Sequence, residues 1–140
     1  MSPAKVMVVD DNVMGVELVT FVMEDGDILV NAAYSAKEAL AQIGTFLPDL
    51  ILMDMHLPGM DGLQLTRLIK ADPVMRHIVI IAFTASAMKD DQLKMMTAGC
   101  DGFLSKPIDV DTFAATVLSL MPDSVHKRAG LAAIKVTGGV

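Results

Sequence analysis

The acidic residues that directly follow apolar runs are the first candidates for chemistry in this chain. Asp10 and Asp11 follow the run Val6–Val9, and Asp54 follows the run Leu50–Met53. Runs this short and this apolar are typical of buried strands. Burying an unpaired aspartate is costly, so Asp54 needs a partner, a metal ion or a set of hydrogen-bond donors. Carboxylates that share one cleft repel one another, and a hard divalent cation such as Mg²⁺ would relieve that repulsion.

The elements that must position these acids alternate along the chain. Apolar runs predict five strands, and apolar spacing with caps such as Ser35–Glu38 predicts five helices, the second closed by Gly44. The strands are predicted at residues 6–9, 28–33, 49–54, 78–83 and 101–105, and the helices at 13–24, 36–43, 63–71, 89–98 and 109–120. This alternation predicts an α/β fold: a flavodoxin-like, doubly wound sheet of five parallel strands in the order 2-1-3-4-5, with five helices.

The predicted topology brings the carboxyl ends of all strands to one edge of the sheet, where open α/β folds bind their ligands. The residues that would meet there are Asp10 and Asp11 after strand one, Asp54 after strand three, Thr84 after strand four and Lys106 after strand five. They are far apart in sequence, so their convergence in one cleft is a prediction about the tertiary structure.

Composition excludes several classes of protein. Of the 140 residues, 53% are hydrophobic, which is ample for one core. No apolar stretch approaches the roughly 20 residues of a membrane helix, and the apolar run near the amino end is too short for a secretory signal. We therefore expect no membrane association and a cytoplasmic location, which the single cysteine, Cys100, also favours. The net charge of −6 disfavours direct binding of nucleic acids.

Four motifs, in this order and spacing, resemble those of the response regulator receiver domain, the chemotaxis-type module of two-component signalling. They are Asp10-Asp11, Asp54 with Met55-His56-Leu57-Pro58-Gly59-Met60-Asp61-Gly62 after it, Phe83-Thr84-Ala85, and Phe103-Leu104-Ser105-Lys106-Pro107. The resemblance covers residues 5 to about 121. A looser similarity to single-domain regulators of the DivK type comes from Ala87-Met88-Lys89 and Gly99-Cys100.

The resemblance implies a phosphoryl-transfer site. Asp54 would be the phosphoacceptor, taking a phosphoryl group from a phosphohistidine of a sensor histidine kinase or histidine phosphotransfer protein. Mg²⁺, or Mn²⁺, would be held by Asp11, Asp54 and the backbone carbonyl of His56, with Asp10 acting mainly through a bridging water. Lys106 would hold phosphoryl oxygens as a point charge.

The resemblance also implies a switch. The hydroxyl of Thr84 would turn to the new phosphoryl group, and Phe103 would rotate into the vacated space. That change would alter the face formed by the fourth helix, fifth strand and fifth helix, which would then control a downstream protein or form a homodimer. His56 and Ser86 would modulate how water reaches the acyl phosphate, and Lys106-Pro107 would be a cis peptide.

Residues 1–122 are predicted to form the receiver domain. Residues 123–140 are predicted to form a C-terminal tail or linker, which can be ordered or disordered. Residues 1–122 hold 8 Lys/Arg and 16 Asp/Glu, whereas residues 123–140 hold 3 and 1. The composition of the second segment leaves a tail, a linker and a cloning remnant open. A receiver cut from a hybrid histidine kinase or multidomain regulator is therefore an alternative interpretation.

An enzyme is the alternative from a different class, namely an aspartate-nucleophile phosphohydrolase on a similar sheet. Such enzymes usually carry a second acid two residues after the nucleophile, to protonate the leaving group. Here that position is His56. The sequence therefore favours a signalling switch, with only Mg²⁺-dependent self-phosphorylation and self-dephosphorylation, over an enzyme.

Overall fold

The computed structural model describes residues 3–85, 88–122 and 125. Five strands and five helices alternate along the described chain. The strands are β1 (Lys5–Val9), β2 (Leu29–Ala33), β3 (Leu50–Met53), β4 (Val79–Thr84) and β5 (Gly102–Ser105). The helices are α1 (Val13–Asp25), α2 (Ala36–Phe46), α3 (Gly62–Ala71), α4 (Lys89–Ala98) and α5 (Phe113–Ser119).

All strands pair in parallel in the order β2-β1-β3-β4-β5, which confirms the predicted flavodoxin-like sheet. The central strand β3 is buried along its whole length because helices cover both faces of the sheet. One core cluster contains the inward side chains of α2, α3 and α4, and the other contains those of α1 and α5. This layered core holds the carboxyl ends of the strands in fixed positions.

Two helix ends differ from the sequence predictions by more than one residue. Gly44 does not close α2, which continues to Phe46 and ends at Leu47, a residue in the left-handed conformation with φ of 55°. The α5 helix begins at Phe113 rather than at Asp109. The carboxylate of Asp109 accepts a hydrogen bond from the backbone N–H of Asp111 at 3.0 Å, which favours a turn over the first helical residues. The domain boundary predicted at Pro122 stays a prediction, since residues 123, 124 and 126–140 lie outside the described residues.

In the described part of the chain, every helix is too short or too polar to cross a membrane.

Candidate functional site

Backbone hydrogen bonds from neighbouring strands hold three of the predicted site residues at the carboxyl edge of the sheet. The N–H of Asp10 donates to the carbonyl of Ala33 at 3.1 Å, and the N–H of Asp54 donates to that of Val9 at 2.9 Å. The N–H of Lys106 donates to the carbonyl of Thr84 at 2.8 Å. Each residue therefore extends a strand ladder by one bond, which fixes where its side chain begins.

The acidic side chains of Asp10, Asp11 and Asp54 form one cluster. One carboxylate oxygen from each lies within 4.8 Å of the others, with Asp10 and Asp54 buried and Asp11 exposed. Burial raises the pKa of Asp54, and the negative charge of Asp10 raises it further. The backbone N–H of His56, 3.1 Å from Asp54 Oδ1, and the charge of Lys106 act in the opposite direction on that pKa.

Lys106 pairs with Asp10 rather than with Asp54. Its Nζ lies 2.6 Å from Asp10 Oδ2 and 4.0 Å from Asp54 Oδ2. The other oxygen of Asp10 accepts a hydrogen bond from the N–H of Asn12 at 2.9 Å. Both oxygens of Asp10 therefore have protein donors, which leaves the exposed carboxylate of Asp11 and that of Asp54 better placed to bind a cation directly. The sequence offered no signal for this pairing.

The ammonium of Lys106 also lies 5.2 Å from the ring centroid of Phe83, within the range of a cation–π contact. The ring of Phe83 packs against that of Phe113 at 5.6 Å between centroids. The Lys106–Pro107 peptide bond is cis.

Thr84 and Phe103 lie on the adjacent strands β4 and β5. Thr84 is the last residue of β4 and is fully buried, while Phe103 pairs with Ala82 in the strand register and keeps 37% of its surface exposed. The two predicted switch residues thus differ sharply in exposure. Ser86, predicted as a modulator, lies outside the described residues.

His56 is exposed, two residues beyond Asp54. It borders a cavity of about 120 Å³ whose wall also includes Asp91 and Lys94 of α4. Its backbone supports Asp54 through the N–H described above, so the residue contacts the acceptor through its main chain.

Gly62 is a site residue that the sequence identified only as a chain breaker. A Cβ at this position would collide with the backbone carbonyl oxygen of Asp54 and lie 2.9 Å from Cα of Met55. The first residue of α3 therefore presses against the backbone that carries the acceptor, and only glycine fits this close approach. The signal for it was the dense run of Pro58, Gly59 and Gly62.

The cluster fits a hard divalent cation. Its donors are carboxylate oxygens, which Mg²⁺ prefers, and two of the three acids are buried close together, where their mutual repulsion is poorly screened. Asp11 and Asp54 would bind the ion directly. A cation here would complement negative charge on an anionic group placed between Asp54 and Lys106.

Comparisons with known proteins agree with one another. The sequence model of the response regulator receiver domain matches residues 6–118. The polar-differentiation response regulator DivK of Brucella anthropi is 38% identical over 122 residues, covering 87% of this chain and 99% of the relative. DivK of Brucella ovis is 40% identical over 119 residues, covering 85% of this chain and 97% of the relative.

Solved structures show the same fold. The chemotaxis protein CheY4 of Vibrio cholerae superposes with a TM-score of 0.81 at 24% identity, covering 86% of this chain and all of that one. The signal receiver domain of a histidine kinase from Syntrophus aciditrophicus gives a TM-score of 0.75 at 27% identity, covering 84% and 89% of the two chains.

Proposed function

This chain belongs to the response regulator receiver family of two-component signalling, and on that premise we propose that it is a phosphoryl-accepting switch whose acceptor is Asp54. The observation that carries the proposal is that Asp54 lies close to both kinds of group that phosphoryl transfer needs. The carboxylates of Asp10 and Asp11, which with Asp54 could surround a cation, lie within 4.8 Å of it, and the ammonium of Lys106 lies 4.0 Å from Asp54 Oδ2.

The proposed step is an in-line displacement at phosphorus. A carboxylate oxygen of Asp54 forms a bond to phosphorus as the bond from phosphorus to the donor imidazole nitrogen breaks, and that nitrogen takes the electron pair. Lys106 would leave Asp10 and hold a phosphoryl oxygen. The donor would be a phosphohistidine on a sensor histidine kinase or a histidine phosphotransfer protein.

Mg²⁺, or Mn²⁺ in its place, would neutralise charge on the phosphoryl oxygens when bound. Asp11, Asp54 and the backbone carbonyl of His56 would hold it. Asp10 would contribute mainly through water, which is consistent with the engagement of both its oxygens by Lys106 and Asn12.

The switch would run from Thr84 to the surface. Thr84 is fully buried at the end of β4, the strand next to β3. Phe103 lies on the neighbouring strand β5, where its partly exposed ring could turn inward and become buried. The surface that would respond is the α4–β5–α5 face. Its exposed large apolar residues are Met88, Leu93, Met96, Phe103 and Val110.

The apolar character of this face lies mainly outside α5. In the sequence, the predicted fifth helix holds more apolar residues than one buried stripe needs, namely Val110, Phe113, Ala114, Val117, Leu118, Leu120 and Met121. In the structure Phe113 and Val117 are buried, and the exposed large apolar residues of this face that lie within a helix are Leu93 and Met96 of α4. We therefore propose α4 as the main contact for a downstream protein or for a second copy of this chain.

Sedimentation with and without beryllofluoride, which mimics a phosphoryl group, tests whether a second copy binds. A monomer in both conditions would exclude it.

Labelling with a small phosphodonor tests the acceptor. Acetyl phosphate with Mg²⁺ is expected to add one phosphoryl group per chain, seen by intact-protein mass spectrometry, and hydroxylamine is expected to remove it. Asp54→Asn should take no label, whereas Asp72→Asn, at the opposite edge of the sheet, should label normally. Label retained by Asp54→Asn would refute the assignment. Many turnovers on an aryl phosphate would instead identify a phosphohydrolase.

A further inference from the structure

Strand β2 forms one edge of the sheet, and its outer side is open. On the side of β1, the N–H of Leu29 donates a hydrogen bond of 2.9 Å and the carbonyl of Ala33 accepts one of 3.1 Å. Backbone groups alternate in direction along a strand, so Asn31 also bonds towards β1, whereas Val30 and Ala32 point their N–H and C=O groups outward. In the described part of the chain, no strand pairs with that outer side.

The side chains of β2 do not block pairing at this edge. Natural sheets usually protect an exposed edge with charged residues, proline or a bulge in the strand. The five residues of β2 are Leu29-Val30-Asn31-Ala32-Ala33, with no charge and no proline. They pair one-to-one with β1, so the strand has no bulge. An added strand would therefore meet no obstacle from the β2 sequence.

A groove flanks the open edge on each face of the sheet. On one face, Val30 and Ala32 line a groove of about 340 Å³ together with side chains of α1. On the other face, Asn31 lines a groove of about 490 Å³ together with Gln42 and Thr45 of α2. The side chains of an added strand alternate between the two faces, so both sets would have a groove to enter.

The α1 side of the edge is acidic. Glu17 and Glu24 line the groove on that face, both are exposed, and neither takes part in an ion pair within the described residues. The exposed residues Asp25, at the end of α1, and Asp27, in the turn before β2, add negative charge nearby. Phe21 borders the same groove and is 72% exposed, which offers an apolar contact between the charges. The groove therefore favours a cationic occupant with some apolar surface.

A second copy of this chain would suit the edge poorly. Two β2 strands that pair antiparallel about a twofold axis place both α1 helices on the same face of the joined sheet. Glu17 and Glu24 of one copy would then lie near the same residues of the other, and like charges at a short distance repel one another. The charges of α1 thus favour a different, basic chain.

We propose that the open edge of β2 binds an extended, basic peptide segment of a partner protein, which adds a sixth strand to the sheet. The backbone of the segment bonds to the outward N–H and C=O groups of Val30 and Ala32. Its side chains on the α1 face are basic and apolar, to pair with the carboxylates and to cover Phe21. Its side chains on the α2 face are polar, to contact Asn31 and Thr45.

The spacing of the two glutamates specifies the pattern of the segment. Glu17 and Glu24 are seven residues apart, which is about 10 Å along a helix. Residues i and i+4 of a strand lie on the same face about 13 Å apart, and flexible lysine side chains can make up the difference. The segment is therefore expected to carry basic residues at i and i+4 and an apolar residue at i+2.

Hydrogen exchange with a model peptide tests strand addition. The probe is acetyl-Thr-Lys-Thr-Val-Thr-Lys-Thr-amide, and NMR of the ¹⁵N-labelled full chain follows each backbone amide. Without peptide, Val30 and Ala32 should exchange fast and Asn31 and Ala33 slowly. Peptide at about ten times its dissociation constant should slow Val30 and Ala32 about tenfold.

Three outcomes of this experiment would overturn the proposal. The first is exchange at Val30 and Ala32 that millimolar peptide leaves unchanged. The second is slow exchange at both amides that appears with rising protein concentration and no peptide, which would identify a second copy as the occupant. The third is slow exchange in the dilute, peptide-free protein, which would show that its own chain covers the edge.

Backbone methylation separates strand addition from simple charge attraction. Only alternate peptide N–H groups face β2, so N-methyl groups on one alternate set of residues should abolish binding, and on the other set should leave it. On the protein side, Ala32→Pro removes an outward N–H that makes no bond within the sheet. It should weaken binding about fivefold, the effect of one lost hydrogen bond. Equal effects of the two methylated sets would overturn strand addition.

Charge variants test the basic character of the segment. Glu17→Gln/Glu24→Gln should weaken peptide binding about fivefold, the effect of losing two surface ion pairs. The matched control Asp90→Asn/Asp111→Asn removes two exposed charges elsewhere and should bind as the unchanged protein does. Equal affinity of both variants would overturn the assigned chemistry of the partner. Labelling by acetyl phosphate should be normal in both, so a failure here would not bear on Asp54 as acceptor.

Discussion

The ammonium of Lys106 lies 2.6 Å from the carboxylate of Asp10 but 4.0 Å from that of Asp54. The ammonium that would assist the acceptor Asp54 is therefore paired with Asp10. The same ammonium therefore neutralises part of the acidic cluster and competes with a metal ion for it. Its removal should separate two properties that are normally linked, namely cation binding and phosphoryl acceptance.

Lys106→Met should bind Mg²⁺ more tightly while losing the label from acetyl phosphate. Removing a positive charge next to the carboxylates strengthens their attraction for a cation, by about tenfold in affinity if screening is strong. Isothermal titration measures the binding, and intact mass measures the label. Arg76→Met, which removes a charge from the opposite edge of the sheet, is the control and should change neither. Weaker Mg²⁺ binding by Lys106→Met would show that the lysine supports the metal site instead.

Asp54→Asn should stabilise the metal-free protein at neutral pH by about 1 kcal/mol. Burial raises the pKa of Asp54, so the folded state keeps this proton to a higher pH than the unfolded chain does. The contribution of Asp54 to stability is therefore greatest below its unfolded pKa and is lost as pH rises through the folded pKa. Asparagine does not ionise, so the free energy of unfolding of Asp54→Asn does not fall in this way as pH rises.

Urea unfolding in EDTA across the acid-to-neutral range measures this difference. The two proteins should converge at low pH, where Asp54 is protonated in both states, and diverge as pH rises. A constant difference across the whole range would mean that the substitution acts through packing and not through ionisation.

Gly62→Ala should destabilise the protein by about 2 kcal/mol and slow labelling of Asp54. The added methyl group would collide with the backbone of Asp54 and Met55, which cannot move without shifting the acceptor. Gly44→Ala is the matched control, because a Cβ there meets nothing within 4 Å in the interior of α2. It should stabilise the protein by roughly 0.5–1 kcal/mol, and denaturant midpoints compare the two.

Cys100 should react with a thiol reagent only when the protein opens. Its side chain is buried, burial raises the pKa of the thiol, and its Sγ contacts Oγ1 of Thr66 at 3.9 Å. Labelling by a chromogenic disulfide in native buffer should be slower than in denaturant by several orders of magnitude. Fast labelling of the native protein would show that the loop between α4 and β5 opens readily.

The sequence by itself determined the order and type of the elements, because strands and helices have different periods of apolar residues and each run was short and cleanly bounded. It also determined which side chains stand at strand ends, and hence the identity of the acids, Thr84 and Lys106 as neighbours. Parallel topology then left only one edge of the sheet where they could meet.

Only the tertiary structure decided how those side chains pair. Lys106 is 96 residues from Asp10 and 52 from Asp54, and no local pattern distinguishes a contact of 2.6 Å from one of 4.0 Å. The same holds for the contact of Gly62 with the backbone of Asp54, and for the exposure of Leu93 and Met96 in place of the α5 side chains. Local periodicity specifies which face of an element is apolar, whereas distances between elements depend on how the two layers of helices pack against the sheet.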